Sequence, residues 1–540
     1  MSSPPTVEQL SGWAPLRHRL FRNLWIASLI SNLGGWMQDT AGTWLMTALT
    51  SSPLLIALMQ TAASLPVLIL GLPAGATADI FERRRLLIFW QSWMLGTVAI
   101  LSVLTFVGVI SPWTLLALTF LLNIGSAMNS PGWQAIVPEL VPRAELPDAI
   151  STNSAGFNLA RAVGPALGGL MVAAFVVAAR GAGIVFLLNS ASFIAVIIVL
   201  YRWRRSPPYR STLPSERMFG SMRAGIRYIR YVPELQAILV RAFLFTFFAS
   251  AVWALLAVVA EQDLHRGAMA YGILTGCLGF GAVIGASLLP RIRRRISADM
   301  IGALSGGVFA CTLAALAMVR SVPIIVVWLI AAGFAWTSMT STMNVAVQLS
   351  VPAWVQARAL GTYQMIFMGG MALGSVLWGF LAGHFSTSRS LLVAAISLLV
   401  SLPVANRFHM LRGKLPDLSP YQLNRPAPQL VIDPHPEAGP VMVTIEYRIR
   451  PEDYAPFTHA VHRLRDVRLR DGAIRWGIYQ DTAQPERLVE TFVVESWLAF
   501  LRERERMTTS DRVIRDRARS FHQGDSEPMI SFMIYAREVT

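Results

Sequence analysis

Twelve apolar runs, each close to the length of a membrane-spanning helix, constrain this chain more than any other feature. The first runs from Leu24 to Leu49 and the last from Leu391 to Asn406. About 20 apolar residues in a helix cross a hydrocarbon core of ~30 Å, and helices satisfy their own backbone polar groups in lipid. The chain is also 54% hydrophobic and only 14% charged. The sequence therefore predicts an all-α membrane protein with 12 transmembrane helices.

The positive charge lies in alternate loops. Up to Met410 the sequence has 27 basic and 12 acidic residues, whereas it has 19 of each from Leu411 onward, so the net charge of +15 belongs to the apolar part. The positive-inside rule assigns the arginine-rich loops, and with them both termini, to the cytoplasm. Because the arginines cluster between apolar runs, we expect the partner of this charge to be the lipid bilayer and not nucleic acid.

An internal repeat divides the apolar part into two halves. A shift of 210 residues superposes Gly75 on Gly285 and Arg83–Arg85 on Arg293–Arg295. The same shift, without a gap, takes Gly164 to Gly374. One offset that serves several runs indicates that a six-helix unit is duplicated.

The composition changes at the end of the last apolar run. Val441 to Thr540 carries strand-like and amphipathic helical patterns in the order βαββααβ, which predicts a small ferredoxin-like α+β domain. The expected domains are a six-helix half (1–201), a basic cytoplasmic linker (202–234), a second six-helix half (235–406), a linker (407–440) and a soluble cytoplasmic domain (441–540).

The segment GATADIFERRR, from Gly75 to Arg85, resembles the signature loop of the major facilitator superfamily. Ile80 and Glu82 depart from the family pattern, which has a basic residue and a glycine there. The resemblance implies a gating loop in which the glycine permits close helix packing and the aspartate pairs with neighbouring groups. Plain anchoring of a loop by its arginines is the alternative. The predicted gating residues are Gly75, Asp79, Arg83, Arg84 and Arg85.

The segment GPALGG in the fifth run resembles the core of a motif associated with antiporters of that superfamily, although Ala160 replaces its upstream glycine. Glycines allow neighbouring helices to approach, and a proline removes one helical hydrogen bond. Ordinary packing of small residues accounts for the segment equally well. The residues of this motif are Gly164, Pro165, Gly168 and Gly169.

Taken together, Ser31–Leu45, the signature loop and Pro131–Gly169 resemble the drug and siderophore exporters of the major facilitator superfamily. The resemblance implies efflux of a small amphipathic molecule by alternating access, driven by protons across the bacterial inner membrane. The segment from Val441 faintly resembles the dimeric α/β-barrel domains of the antibiotic-biosynthesis-monooxygenase type. That second resemblance implies a homodimer through the C-terminal domain.

Charged side chains inside the apolar runs are costly and therefore indicate function. Asp39 is the candidate for proton coupling or cation binding, because a desolvated carboxylate can load and release a proton. A static ion pair with Arg161 and a carboxylate that reaches the membrane surface are the alternatives. The expected coupling and cavity residues are Asp39, Arg161, Arg241, Asn32, Trp36 and Asn158.

Catalytic chemistry finds little support in the sequence. His459 and His462 lie one helical turn apart in the C-terminal segment, but no third metal ligand is evident, and no cofactor fingerprint or ATP-binding loop occurs. The expected partners are a small-molecule substrate, protons and lipid, with no cofactor. A catalytically active C-terminal domain and an importer or sensor built on the same scaffold are the open alternatives.

The predicted orientation can be tested with single cysteines at positions 84 and 294. Both arginines lie in the arginine-rich loops, so both thiols should react with a membrane-impermeant reagent only when the cytoplasmic face is exposed. Labelling of the two positions from opposite faces would contradict the duplicated six-helix unit.

Overall fold

The computed structural model describes residues 14–142, 145–203, 218–410, 417–419, 421, 434–524 and 527–536. The chain divides into two compact units. The first contains residues up to Thr212 together with Ile238–Asn344 and Gly361–Met410. The second contains Leu213–Ala237, Val345–Leu360 and everything from Leu411 onward.

Six long helices precede the basic linker. They are α1 (Arg19–Leu49), α2 (Pro53–Ile80), α3 (Arg83–Val107), α4 (Pro112–Leu140), α5 (Leu146–Ala173) and α6 (Ala178–Arg202). A shorter amphipathic helix, α7 (Met218–Arg230), lies within the predicted linker. Six more long helices then complete the apolar part. They are α8 (Pro233–Val258), α9 (Ala268–Ile292), α10 (Ala298–Met318), α11 (Val322–Leu349), α12 (Ala353–His384) and α13 (Thr387–Arg407).

Local chemistry sets where the helices end. α3 stops at Gly108, whose φ of 77° lies in the left-handed region that glycine adopts without strain. α4 begins at Pro112, and the Ser111 hydroxyl accepts a hydrogen bond from the Thr114 N–H at 3.2 Å. α4 continues to Leu140, and its last turns bury Ile136 and Val137 against residues of other helices, among them Leu87 and Leu200.

The structure confirms the fold class expected from the sequence. Nine helices of the described residues are long and apolar enough to cross a membrane. α1, α4 and α5 are equally long but more polar. The duplication is also visible, since adding 210 to the bounds of α5 gives 356–383 and α12 spans Ala353–His384.

Small residues bring the two six-helix halves together. The Thr61 hydroxyl of α2 donates a hydrogen bond to the Ala372 carbonyl of α12 at 3.1 Å. A Cβ added at Gly379 of α12 would lie 2.5 Å from the Ala57 side chain of α2. α5 and α9 approach as closely, because a Cβ on Gly169 would lie 2.8 Å from the Gly272 Cα.

The C-terminal domain is a four-stranded antiparallel sheet with helices. Its elements are β1 (Val441–Arg448), α14 (Tyr454–Asp471), β2 (Ala473–Gln480), β3 (Arg487–Val494), α15 (Trp497–Arg506), α16 (Thr509–Arg519) and β4 (Met529–Ile534). The strand order β2-β3-β1-β4 is that of the ferredoxin-like fold. Of the one or two helices expected between Trp497 and Phe521, the structure has two, because a capping box at Thr508 and Asp511 starts α16.

A buried charge network lies beneath the sheet of the C-terminal domain. The Arg468 guanidinium donates to Glu490 Oε1 at 3.3 Å and to Glu503 Oε1 at 2.7 Å. Tyr447 and Trp476 donate to the same Glu490 carboxylate, at 3.2 and 3.1 Å. Glu490 is 0% exposed, so its charge depends on these partners.

The same unit contains α7 and the first residues of α12. Arg223 of α7 forms an ion pair with Glu495 at 2.8 Å. The Arg470 guanidinium lies over the ring of Tyr228, 5.4 Å from its centroid, and the Arg506 guanidinium lies over the Trp354 ring at 4.2 Å. Burial raises the pKa of the Tyr228 hydroxyl well above its usual value. These contacts fix α7 and the start of α12 to the C-terminal domain.

Replacing Arg468 with Met should destabilise the C-terminal domain by about 3–5 kcal/mol, because two carboxylates would stay buried without their cation. Arg512→Met is the matched control. Arg512 pairs with Asp516 at a half-exposed site, so its loss should cost less than about 1 kcal/mol. Native-state hydrogen exchange of the β1 and β3 amides in the full-length protein measures the loss of stability in each variant. Equal protection in the two variants would contradict the prediction.

Candidate functional site

The first six-helix half encloses a polar cavity. Two adjoining spaces of about 300 and about 750 Å³ form it. They share the lining residues Ser28, Asn32, Ser126, Asn129, Trp133 and Phe157. α1, α3, α4, α5 and α6 all contribute to the walls. Volumes of this size accommodate a small organic molecule.

Four of the residues predicted from the sequence line this cavity. Asn32, Trp36 and Asp39 follow one another along one face of α1, at helical spacings of four and three residues. Asn158 of α5 lines the larger space. Next to them, a Cβ added at Gly35 would meet no atom within 4 Å, so this face of α1 borders open space. Asp39 is the one charged residue among those that line the two spaces.

Arg161 is near these residues but does not line the cavity. Its guanidinium lies over the Trp36 ring, 5.8 Å from the centroid. Trp36 in turn packs edge to face with Phe157, with a centroid distance of 6.1 Å. Among the described residues, no ion pair within 4.0 Å joins Arg161 to Asp39. The static ion pair considered as an alternative is thus not present in this conformation.

The structure does not bring Arg241 together with Asp39. Arg241 is 2% exposed and donates to Asp299 Oδ1 at 2.7 Å and to the Ala405 carbonyl at 2.8 Å. Asp299 also accepts a hydrogen bond from the Met410 N–H at 3.1 Å. The guanidinium therefore ties α8 to the start of α10 and the end of α13, which is a structural position.

Sequence reasoning missed several amides that line the cavity. The Asn189 side chain donates to Gln38 Oε1 at 2.5 Å, which joins α6 to α1. Gln91 of α3 and Asn129 of α4 are buried in the wall. The sequence alone could have indicated these amides as cavity residues, because an isolated Asn or Gln within an apolar helix is costly unless it faces a partner or a cavity.

The gating-loop residues have different surroundings. The Asp79 side chain lies outside the described part of the structure, so its predicted pairing stays a prediction. Arg84 donates to the Leu200 and Tyr201 carbonyls at 3.0 and 2.6 Å and thereby neutralises the end of α6. Arg85 pairs with Glu82 at 2.8 Å on the surface. Arg83 follows directly after Glu82 as the first residue of α3.

The close-packing role suggested for Gly75 is absent from this conformation. A Cβ added at Gly75 would meet no atom of the described residues within 4 Å. Among the described residues, therefore, none requires position 75 to lack a side chain. A small residue in the signature loop therefore does not by itself predict a tight helix contact.

In α5, the glycine motif packs against two other helices. A Cβ on Gly164 would lie 2.5 Å from the Trp36 side chain, and one on Gly168 would lie 2.6 Å from the Met37 carbonyl oxygen. Both neighbours belong to α1, whereas Gly169 faces α9 of the other half. Pro165 cannot donate a hydrogen bond to the Arg161 carbonyl, and that carbonyl lies against Gly279 of α9.

The histidines of the C-terminal domain have ordinary surroundings. His462 packs edge to face against Trp476, with a centroid distance of 5.2 Å, and His522 Nδ1 accepts a hydrogen bond from the Arg448 N–H at 2.9 Å. Within the described ranges, no three His, Cys, Asp or Glu side chains are grouped as a metal site would require.

A family model described as "Transmembrane secretion effector" matches residues 10–539 of the chain. The multidrug efflux pump Tap of Mycolicibacterium fortuitum is 25% identical, over 69% of this chain and 92% of that protein. The staphyloferrin A transporter of Staphylococcus aureus is 24% identical, over 72% of this chain and 95% of that one. A third relative, the MFS-type transporter YfiS of Bacillus subtilis, is 30% identical, but the match spans 40% of this chain and 52% of its own length.

The fold is also found among solved structures. A bacterial homologue of the human lysosomal transporter spinster, crystallised in an inward-facing and unoccupied conformation, has a TM-score of 0.58 at 14% identity. That match covers 73% of this chain and 96% of the other. The family and these relatives identify a multi-pass membrane transporter and not an enzyme.

Substituting Ala for Gly168 should destabilise the helix bundle by about 1–3 kcal/mol, because the added methyl group meets the Met37 backbone, which cannot yield cheaply. Gly75→Ala is the matched control, since its methyl group enters open space and alanine favours the helix. Thermal unfolding of the purified variants in detergent compares them. A lower melting temperature for Gly75→Ala than for Gly168→Ala would refute this account.

Proposed function

This chain belongs to the transmembrane secretion effector family of major facilitator transporters, and we propose that it exports a small amphipathic molecule in exchange for protons by alternating access. Export is supported by the similarity to the multidrug efflux pump Tap, a match that covers 92% of that protein. The substrate class covers drugs, siderophores and secondary metabolites.

The observation that carries this proposal is the cavity of the first six-helix half. Its wall mixes amide and hydroxyl groups with the rings of Trp36, Trp133 and Phe157, which suits a ligand with polar and apolar parts. The pairs α2/α12 and α5/α9 provide close contacts between two similar halves, along which the halves can rock. The arginine-rich loops face the cytoplasm of the bacterial cell, as do both termini.

Asp39 couples the movement of substrate to the movement of protons in this proposal. A carboxylate that alternates between a water-filled and an occluded cavity binds a proton on one side and releases it on the other. Gly168 holds α1 against α5, so a change in the α5/α9 contact can reach the face of α1 that carries Asp39.

Replacing Asp39 with Asn should abolish uphill export, because the neutral amide cannot carry a proton, while downhill substrate exchange should persist. Uphill export is measured as uptake of antibiotics and siderophores from a panel into everted membrane vesicles that are energised by a pH gradient. Downhill exchange is measured as substrate counterflow in proteoliposomes.

Asp466→Asn is the matched control for this experiment, since Asp466 is exposed on the C-terminal domain and its loss should leave uphill export intact. Uptake into wild-type vesicles should collapse with an uncoupler. Uphill transport by the Asp39→Asn protein would remove Asp39 from the coupling step and leave export itself standing.

The C-terminal domain serves as a structural or regulatory appendage, and it pairs with a second copy through the open face of its sheet. That face carries exposed methionines at Met442, Met529 and Met533, whereas the opposite face packs on the helices.

A cysteine at Thr491, near the centre of the open face, should form a disulfide-linked dimer in membranes. A cysteine at Val513, exposed on α16, should not.

A further inference from the structure

The amphipathic helix α7 packs directly on the first turns of α12 within the second compact unit. A Cβ added at Gly225 of α7 would lie 3.1 Å from the Arg358 Cβ of α12. The rings of Tyr228 and Trp354, one helical turn away on each helix, meet edge to face with a centroid distance of 5.7 Å. These four residues form what we call the α7–α12 contact. Two neighbouring turns of each helix therefore take part in it.

The C-terminal domain covers both aromatic rings of this contact with guanidinium groups. Arg470, near the end of α14, lies over the Tyr228 ring at 5.4 Å, and Arg506, at the end of α15, lies over the Trp354 ring at 4.2 Å. Such pairs are strongest where water is excluded, and Tyr228 is 1% exposed. Among the described residues the Trp354 indole N–H has no hydrogen-bond partner, so this site uses the face of the ring.

The end of α14 provides the surface to which α7 binds. Gly472, with a φ of 153°, ends α14 and leaves its last carbonyl groups without helical donors. Arg227 Nε of α7 donates to the Arg470 carbonyl at 3.4 Å, and Arg506 Nη1 donates to the Asp471 carbonyl at 2.8 Å. Guanidinium groups are favourable at a helix C-terminus because they satisfy carbonyl groups and offset the helix dipole. A residue of the linker helix thus caps a helix of the C-terminal domain.

Both sides of the α7–α12 contact lead directly into long membrane helices. α7 ends at Arg230 and α8 begins at Pro233. The Gln236 side chain in the first turn of α8 donates to the Arg230 and Ile229 carbonyls of α7 at 2.8 and 3.1 Å. α12 is one continuous helix over Ala353–His384. A change in the position of α7 against α12 would therefore move the first turns of α8 and α12 relative to one another.

We propose that the C-terminal domain is a clamp that holds α7 against the start of α12 throughout the transport cycle, so that the first turns of α8 and α12 move as one body. Its residues position helices and do not touch substrate, since none of the four residues of the α7–α12 contact is among those that line the cavity of the first six-helix half. The clamp requires that the chain is a transporter, which the family establishes. It requires neither a direction nor a particular substrate. Without the clamp, α7 could shift against α12, and less of the rocking of the second half would reach the first.

A reversible disulfide across the α7–α12 contact tests whether the two helices stay together. The full-length Gly225→Cys/Arg358→Cys protein, with Cys277→Ser and Cys311→Ser, is oxidised in membranes. Its Cβ atoms lie close to the ~3.8 Å found in disulfides, so the bond should form and block labelling by a maleimide-PEG reagent. Arg230→Cys/Arg358→Cys is the matched control, because position 230 is exposed on another face of α7, and both thiols should stay reactive. Equal labelling of the two oxidised proteins would contradict the contact.

Transport by the cross-linked protein tests whether the clamp stays closed. Uptake of the panel compounds into everted vesicles should proceed at the same rate before and after the disulfide is reduced with dithiothreitol. A block of uptake on oxidation, relieved by the reductant, would overturn the proposal, because the contact would then have to open in each cycle.

Trp354→Ala in the same cysteine pair should lower the maximal rate of uptake about fivefold, because the Arg506 and Tyr228 contacts are both lost. KM should not change, since the cavity is untouched. Oxidation should restore the rate and reduction should lower it again in the same vesicles, which a loss of folded protein would not do. Trp354→Phe keeps the ring face and should match the wild type. A wild-type rate in the reduced Trp354→Ala protein, or no recovery on oxidation, would refute the clamp.

Hydrogen exchange of the full-length protein gives a readout that needs no substrate. In Trp354→Ala, the amides of α7 and of the first turn of α12 should exchange faster together, whereas those of β1 should stay protected. If that variant does not fold, Tyr228→Leu removes the partner ring and replaces it in both measurements. Faster exchange in only one of the two helices would contradict the clamp. Joint changes in exchange, in a protein whose wild type exports no compound of the panel, would contradict the exporter function alone.

Discussion

The absence of water from the bilayer core is the constraint on which this structure depends. Each apolar run must satisfy its backbone hydrogen bonds within itself, so it forms a helix, and its charged residues collect at the ends. Polar side chains that remain within the helices must then face one another or an enclosed space. The cavity lined by Asn32, Asp39 and Gln91 follows from that requirement.

Small residues allow the helices to pack closely into a bundle within the lipid. Because lipid gives no hydrophobic drive for helices to associate, close backbone contact has to supply the attraction. Gly168 against α1 and Gly169 against α9 place one turn of α5 between the cavity helix and the opposite half. The same turn contains Pro165, which leaves the Arg161 carbonyl without its helical donor. α5 therefore links the cavity to the interface between halves.

The C-terminal domain is packed differently, around a buried apolar core that its sheet and its helices share. Its helices bury apolar residues against one face of a sheet, and the charges beneath that face are tolerated because each has a partner, as Arg468 has in Glu490 and Glu503. Arg223 and Arg506 connect the domain to α7 and to the start of α12.

The sequence by itself determined the number of long helices, the duplication at 210 residues and the βαββααβ order of the C-terminal domain, because hydrophobic period and length act locally. It also placed Asn32, Trp36 and Asp39 on one face of α1, since helical spacing alone decides that. Only the tertiary structure put Gln91 and Asn129 beside that face and separated Arg241 from it. Which helix faces which depends on contacts between residues far apart in the chain, and no local pattern encodes them.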